Sequence, residues 1–300
     1  MDPSSDDPFR RLDLKSWTPD QDEPSGENEK SWFRDPSQSD KRWIFKPNRS
    51  DRSEYEDRSE LVASLLAEQL GVPAAHIRLA MHGEAEGCIS KNVVADEKNQ
   101  LEHASLFLTE YVEDFDPRDR RSRGHNVEWI TDILKQIEPP ILMVGSGLNA
   151  LDCFGGYLLF DALIGNTDRH SENWAIEITP KGKMHLAPSY DHATSLGVTT
   201  RGTKLETLVA DETKISTFLC KARAHRFEGG SKTSLVDFAA AFLATCSSRA
   251  ITHWTDQLAS LNLETAANII TDARMSASAC SLAINTVQIN RERLLRCLNY

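Results

Sequence analysis

Apolar positions along this chain follow two regimes. In the first third they come in short runs bounded by turn residues. "KRWIFKP" sets Trp43, Ile44 and Phe45 side by side and stops at Lys46-Pro47, which predicts a strand. "EYEDRSELVASLLAEQLGVP" instead repeats Leu61, Leu65, Leu66 and Leu70 on one helical face, with Gly71 and Pro73 as stop signals. "GCISK" and "ASLFLTEYV" predict two further strands. A first lobe of sheet plus one helix is therefore expected over 23–112. Residues 1–22, rich in Asp, Pro and Ser and poor in large aliphatics, are expected to form a disordered acidic tail.

Beyond residue 112 the period changes. "EDFDPRDRRSRGHN" is charged and without periodicity, as a solvated loop would be. "VEWITDILKQI", "LDCFGGYLLFDALI", "LVDFAAAFLATC", "ITHWTDQLASL" and "AINTVQINRERLLRCL" all carry helical spacing. The second lobe, 113–300, is expected to be mostly helical, so the chain reads as α+β in two lobes. No internal repeat is visible.

One stretch departs from both regimes. "IGNTDRHSENWAI", residues 164–176, packs polar and charged side chains between two apolar elements. Gly165 suits a helix C-cap, so the cluster is a loop leaving a buried helix. After it "WAIEI" alternates Trp174, Ile176 and Ile178, "TPKGK" supplies a turn, and "MHLAP" returns as a second strand. A hairpin of two such strands brings the end of the second back beside the start of the first. Asp191, in "PSYDHATS", is thus expected near Asn173.

Composition narrows what such a cluster can do. The 300 residues and 33.6 kDa suffice for two lobes around a cleft. With 34 Lys and Arg against 45 Asp and Glu the net charge is −11, and no basic run interrupts it, which disfavours direct nucleic-acid binding. No stretch approaches the roughly 18 apolar residues of a membrane span, and "MDPSSDDPFRR" is polar where a secretory signal would be apolar; a cytoplasmic protein without membrane partners is expected. The six cysteines, at 88, 153, 220, 246, 280 and 297, are scattered singly and suggest neither a zinc site nor disulfides.

Asp168, Asn173 and Asp191 then converge at one end of the hairpin. Two carboxylates and an amide oxygen are hard ligands suited to Mg²⁺, which shares its shell with substrate phosphates. Asp168 and Asn173 also have the D-x-x-x-x-N spacing of a protein-kinase catalytic loop, whose Asp accepts the hydroxyl proton and whose Asn holds metal. Lys46 at a strand end followed by Glu60 on a helix has the order of the kinase ion pair that grips the ATP phosphates. Each residue has a structural alternative. Lys46 alone is a solvated strand-end cation, Glu60 completes a capping box with Asp57, and the Asp–Asn–Asp trio is a solvated turn. His170 is expected to brace the loop, Arg169 to pair with a carboxylate and Asn166 to bond the turn, with Trp174 and Tyr190 in the core.

Taken together, "RWIFKP", "SELVASLLAEQLGVP", "GCISK", "IGNTDRHSENW" and "LAPSYDHATSLG" resemble the successive motifs of the HipA-like serine/threonine kinases, across residues 25 to about 200. The resemblance implies a two-lobed protein-kinase-like fold and an ATP- and Mg²⁺-dependent transfer to Ser or Thr of a protein. It implies Asp168 as catalytic base, Asn173 and Asp191 as metal ligands, Lys46 on the phosphates, Glu60 orienting it, and His170 beside the nucleotide. "SGENEKSW", with Gly26 and Lys30, resembles the phosphate-covering loop, though with a single glycine. Glu110, Tyr111 and Val112 occupy the place of an adenine-binding hinge by order along the chain. The family adds a toxin role, a small helix-turn-helix antitoxin as partner, and autophosphorylation at Ser25 or Ser31. A lipid or small-molecule kinase and a nucleotide-binding pseudokinase acting as an interaction module are the alternatives that the same loop leaves open.

Overall fold

A computed structural model describes residues 7–22, 31–49 and 51–299. The first lobe is built on strands β1 (Leu12–Asp13), β2 (Thr18–Asp22), β3 (Ser31–Asp35), β4 (Gln38–Pro47), β5 (Ile77–His82) and β6 (Ala85–Lys91), with helix α1 (Glu56–Gln69) between β4 and β5. They form one sheet in the order β1-β5-β6-β4-β3-β2, antiparallel except for the β1–β5 pair. The "WIFK" strand therefore lies near the middle of the sheet, and its period of two assigns its faces. Trp43 and Phe45 pack with Leu14, Phe33 and Ile89 on one side. Lys46, directly across from Cys88, points to the other, where Cys88 packs with Leu61 of α1.

Residues 12–22 are not a tail but part of this sheet. Leu14 is buried among Phe33, Trp43 and Phe45. Arg11 reaches into the lobe, its Nη1 donating to the carbonyls of Ala80 and Gly87 and its Nη2 pairing with the buried Asp57 at 2.8 Å. One leucine and one arginine thus anchor a segment whose overall composition is that of a disordered one. Asp57 lies inside the first turn of α1, where its Oδ1 accepts the Arg58 amide at 2.8 Å, and the N-cap, Tyr55, makes no side-chain cap bond; the capping box with Glu60 does not form.

The chain leaves the six-stranded sheet at residue 91 and enters a second one at residue 100. Strand β7 (Gln100–His103) pairs with β8 (Ala175–Ile178), which pairs with β9 (Met184–Leu186), all antiparallel. The expected hairpin is thus present, with β7 as an added third strand. "ASLFLTEYV" is not a strand: helix α2 (Ala104–Tyr111) takes its place. Ala104 and Leu108 are buried while Phe107 and Tyr111 pack partly against them, an i, i+3, i+4, i+7 pattern hidden inside a continuous apolar run whose Leu106 faces solvent. The first amides of α2 donate to the carbonyls of Trp174 and Ser171, so its start is capped by the polar loop itself.

The remaining helices are α3 (Val127–Leu134), α4 (Ala150–Ile164), α5 (Gly202–Val209), α6 (Glu212–Leu219), α7 (Leu235–Leu243), α8 (Ser248–Ser260), α9 (Leu263–Asp272) and α10 (Ala277–Cys297). Helix α4 is buried on every side, between a capping box of Asn149 and Asp152 and a left-handed C-cap at Gly165 (φ +69°). Its core neighbours include Phe242 of α7 and Trp254 of α8, the latter seated so close that a Cβ on Gly156 would lie 2.4 Å from the indole. This rigid central helix delivers the polar loop to the cleft between the lobes. Among the described residues no helix is long and apolar enough to cross a membrane.

Candidate active site

The loop after α4 is held by one buried ion pair. Arg169 donates Nε and Nη2 to the two carboxylate oxygens of Asp161, at 2.7 and 2.8 Å, and both residues are almost fully buried. The same guanidinium reaches the hydroxyl of Ser189 at 2.7 Å, the backbone carbonyl of Asn173, and that of Tyr190 at 3.3 Å. A single side chain therefore ties the loop before β8 to the loop after β9. Asn173 and Tyr190–Asp191 are neighbours because of it, as the hairpin argument requires. Asn166 completes the brace, its Nδ2 donating to Asp161 and its Oδ1 accepting the Asp168 amide.

Within this frame the expected site residues take up distinct places. Asn173 Nδ2 donates to the carbonyl of Asp168 at 2.8 Å, which fixes the amide with Oδ1 as its remaining acceptor. Asp191 adopts a left-handed backbone (φ +62°), uncommon outside glycine, and presents a carboxylate about one-third exposed (35 %). Lys46 Nζ lies 2.7 Å from Glu60 Oε1 and 3.5 Å from Asp191 Oδ1, joining the sheet, α1 and the second lobe in one contact. Glu60 is buried and its second oxygen accepts the His192 amide at 3.0 Å, so it orients both Lys46 and the Asp191 segment. Burial opposes the charge on Lys46, but Asp191 and Glu60 together outweigh it and hold its pKa above the ordinary value. The ammonium is permanent at any physiological pH.

His170 braces the loop, its Nδ1 accepting the Glu172 amide. Burial lowers its pKa, and the ring is uncharged at neutral pH. Trp174 is buried as expected, whereas Tyr190 is half-buried and uses its hydroxyl to link His103 with the carbonyl of Glu172. Glu110, Tyr111 and Val112 are not brought to this cluster. They end α2, where Tyr111 packs on Trp129 and Val112 lines a recess of about 260 Å³ with Trp129 and Glu228. Gly26, Lys30 and Ser25 lie outside the described residues.

Asn173 Oδ1 and Asp191 are two hard oxygens at the mouth of a cleft whose permanent cation, Lys46, suits phosphate. Among the described residues no three His, Cys, Asp or Glu side chains are grouped to hold a metal by themselves. That donor set fits Mg²⁺, which completes its shell with water and substrate phosphates rather than with a protein cage.

Four participants were not foreseen. Asp161 had a signal, a carboxylate inside the apolar "LLFDALI", but its partner eight residues on was not evident. Arg226 had none. Its Nε and Nη2 lie 2.7 and 2.6 Å from Asp168 Oδ1, while Arg52 Nη2 stands 3.7 Å from Oδ2. His125 supports Arg226 from behind. Trp174 Nε1 donates to its Nε2 at 3.1 Å, which leaves the proton on Nδ1, donated to the Arg226 carbonyl at 2.6 Å. Burial pushes the His125 pKa down to about 4, against 6.5 ordinarily. The unfolded chain binds this proton more readily, so stability from this residue is complete above pH 6.5 and is lost as pH falls toward 4. The expected loss is roughly 3 kcal/mol at 1.36 kcal/mol per unit. Urea unfolding at pH 7.5 and 4.5 measures it, and equal stabilities would contradict a neutral, buried His125.

A sheet-plus-helix lobe over a helical lobe, with a Lys–Glu pair facing an Asp/Asn/Asp cleft, defines the class as kinase-like. A sequence model described as the HipA-like C-terminal domain matches residues 23–262, and the chain belongs to that family. Solved structures agree on the fold. The proinflammatory kinase CtkA of Helicobacter pylori superposes with a TM-score of 0.74 at 13 % identity, over 96 % of this chain and 97 % of that one. A chain of the toxin–antitoxin complex of HipA, HipB and operator DNA from Shewanella oneidensis MR-1 gives 0.52 at 14 % identity, over 96 % and 67 %. No curated protein matches the sequence.

Proposed function

We propose that this chain is an ATP- and Mg²⁺-dependent kinase that transfers the γ-phosphoryl group to a Ser or Thr hydroxyl of a protein. The observation that carries the reading is the meeting of Lys46, Glu60 and Asp191 across the cleft, with Asn173 held beside them by Arg169 and Asp168 held in turn by Asn173 and Asn166. Lys46, fixed by Glu60, binds nucleotide phosphates. Asn173 and Asp191 would hold Mg²⁺, which supplies charge neutralisation at phosphate oxygens when bound. Asp168 orients the acceptor hydroxyl and takes its proton. Positioning and electrostatics supply the acceleration, as phosphoryl transfer requires. An antitoxin-type partner belongs to the same reading and is supported by the presence of HipB in the Shewanella complex.

Incubation with [γ-³²P]ATP, Mg²⁺ and cell extract tests the proposal. The wild type is expected to label protein on Ser or Thr, including its own Ser25 or Ser31 if it autophosphorylates. Asp191→Ala is expected to label nothing above background. Equal labelling by the two proteins would overturn the assignment.

A further inference from the structure

Asp168, the residue read above as the base, has one carboxylate oxygen already taken. Arg226 places two nitrogens on its Oδ1, and Arg52 approaches Oδ2. With two guanidinium nitrogens on it, Oδ1 accepts a substrate hydroxyl only once Arg226 has moved, whereas Arg52 stands beyond hydrogen-bond distance of Oδ2. The question is where it goes.

Its surroundings restrict the answer. The Arg226 backbone is fixed, since its carbonyl accepts from His125, which stacks on Phe227 at 4.8 Å and is bonded to Trp174, the neighbour of Asn173. The side chain is 39 % exposed and can pivot. The other cations nearby are committed. Arg169 is saturated by Asp161, Ser189 and two carbonyls, Lys46 is held by Glu60 and Asp191, and Arg52 is shared between Glu56 and Asp168, 3.7 Å from each. The Asp168 side of the cleft therefore has a guanidinium on a fixed stem and, from the catalytic loop itself, no available positive charge.

Resting on the kinase reading above, we infer that Arg226 is a catalytic residue that leaves Asp168 for the γ-phosphoryl group when ATP enters. A guanidinium suits this exchange, because its planar fork binds carboxylate and phosphate oxygens alike with charge-assisted bonds. Moving between two anions keeps it paired throughout, and its departure frees Asp168 Oδ1 only when there is a phosphoryl group to transfer. In the step itself the acceptor oxygen bonds to the γ-phosphorus and the bond from that phosphorus to the bridging oxygen breaks. The electron pair leaves on ADP and the hydroxyl proton passes to Asp168. Arg226 neutralises charge on the transferring group, as Lys46 does at the other end.

Binding of Mg·ADP and of Mg·AMP-PNP to the full chain, by calorimetry, tests this without turnover. Arg226→Ala is expected to weaken AMP-PNP about tenfold or more and to leave ADP within about twofold, with Arg226→Lys between. Turnover by Arg226→Ala is expected to fall about 10²–10³-fold, the loss typical of removing one preorganised charge-stabilising group. Undiminished AMP-PNP affinity, or an equal loss for both nucleotides in both variants, would overturn the inference while leaving the kinase reading intact. A wild type that binds neither nucleotide would overturn both.

Discussion

Arg169→Met is expected to destabilise the protein by about 3–5 kcal/mol, a large share of the roughly 5–15 kcal/mol that holds a domain folded. The substitution leaves the Asp161 carboxylate buried with Asn166 as its one remaining side-chain partner. It also takes a donor from the carbonyls of Asn173 and Tyr190 and leaves the Ser189 hydroxyl with His192 Nε2 as its side-chain partner. Urea unfolding should show a lower midpoint at an unchanged slope. Adding Asp161→Leu removes the lone buried charge and should return part of the lost stability. Labelling activity should stay low in the double variant, because the buried link from the Asn173 carbonyl to the Tyr190 carbonyl is gone and the Tyr190–Glu172 bond is left to join the two loops. A single variant within 1 kcal/mol of wild type would mean that the pair does not hold the site together.

Asp168→Asn is expected to do the opposite, lowering phosphate transfer from ATP about 10²–10⁴-fold, as loss of a general base does, with the fold unchanged. The loop's own bonds at this position run through the Asp168 backbone, whose amide is held by Asn166 and whose carbonyl accepts from the His170 amide and Asn173 Nδ2. The carboxylate itself meets Arg226 and Arg52, both well exposed, so melting should shift little. The contrast separates the two kinds of residue: Arg169 fails through stability and Asp168 through chemistry. Transfer within tenfold of wild type would exclude Asp168 as the base.

The two errors in secondary structure have one origin. In "ASLFLTEYV" an apolar run long enough for either element concealed a helical stripe, and what selects the helix is the pair of loop carbonyls that cap its first turn. In residues 12–22 the average composition pointed to disorder, while two side chains, Leu14 and Arg11, have sites waiting in the sheet. Neither the capping carbonyls nor those sites exist until the rest of the chain has folded.

Read alone, the sequence determined whatever depends on spacing within a few turns: the "WIFK" strand, helices α1 and α4, the hairpin, and the Asp168, Asn173 and Asp191 set that the hairpin closes. Local propensity and a strand pair's fixed rise are enough for these. Only the tertiary structure decided that Arg169 is a strut on Asp161, that His125 backs the site, and that Arg226 sits on Asp168 from 58 residues away. Such contacts join segments whose meeting is set by the packing of the whole lobe around α4. No periodicity along the chain carries them.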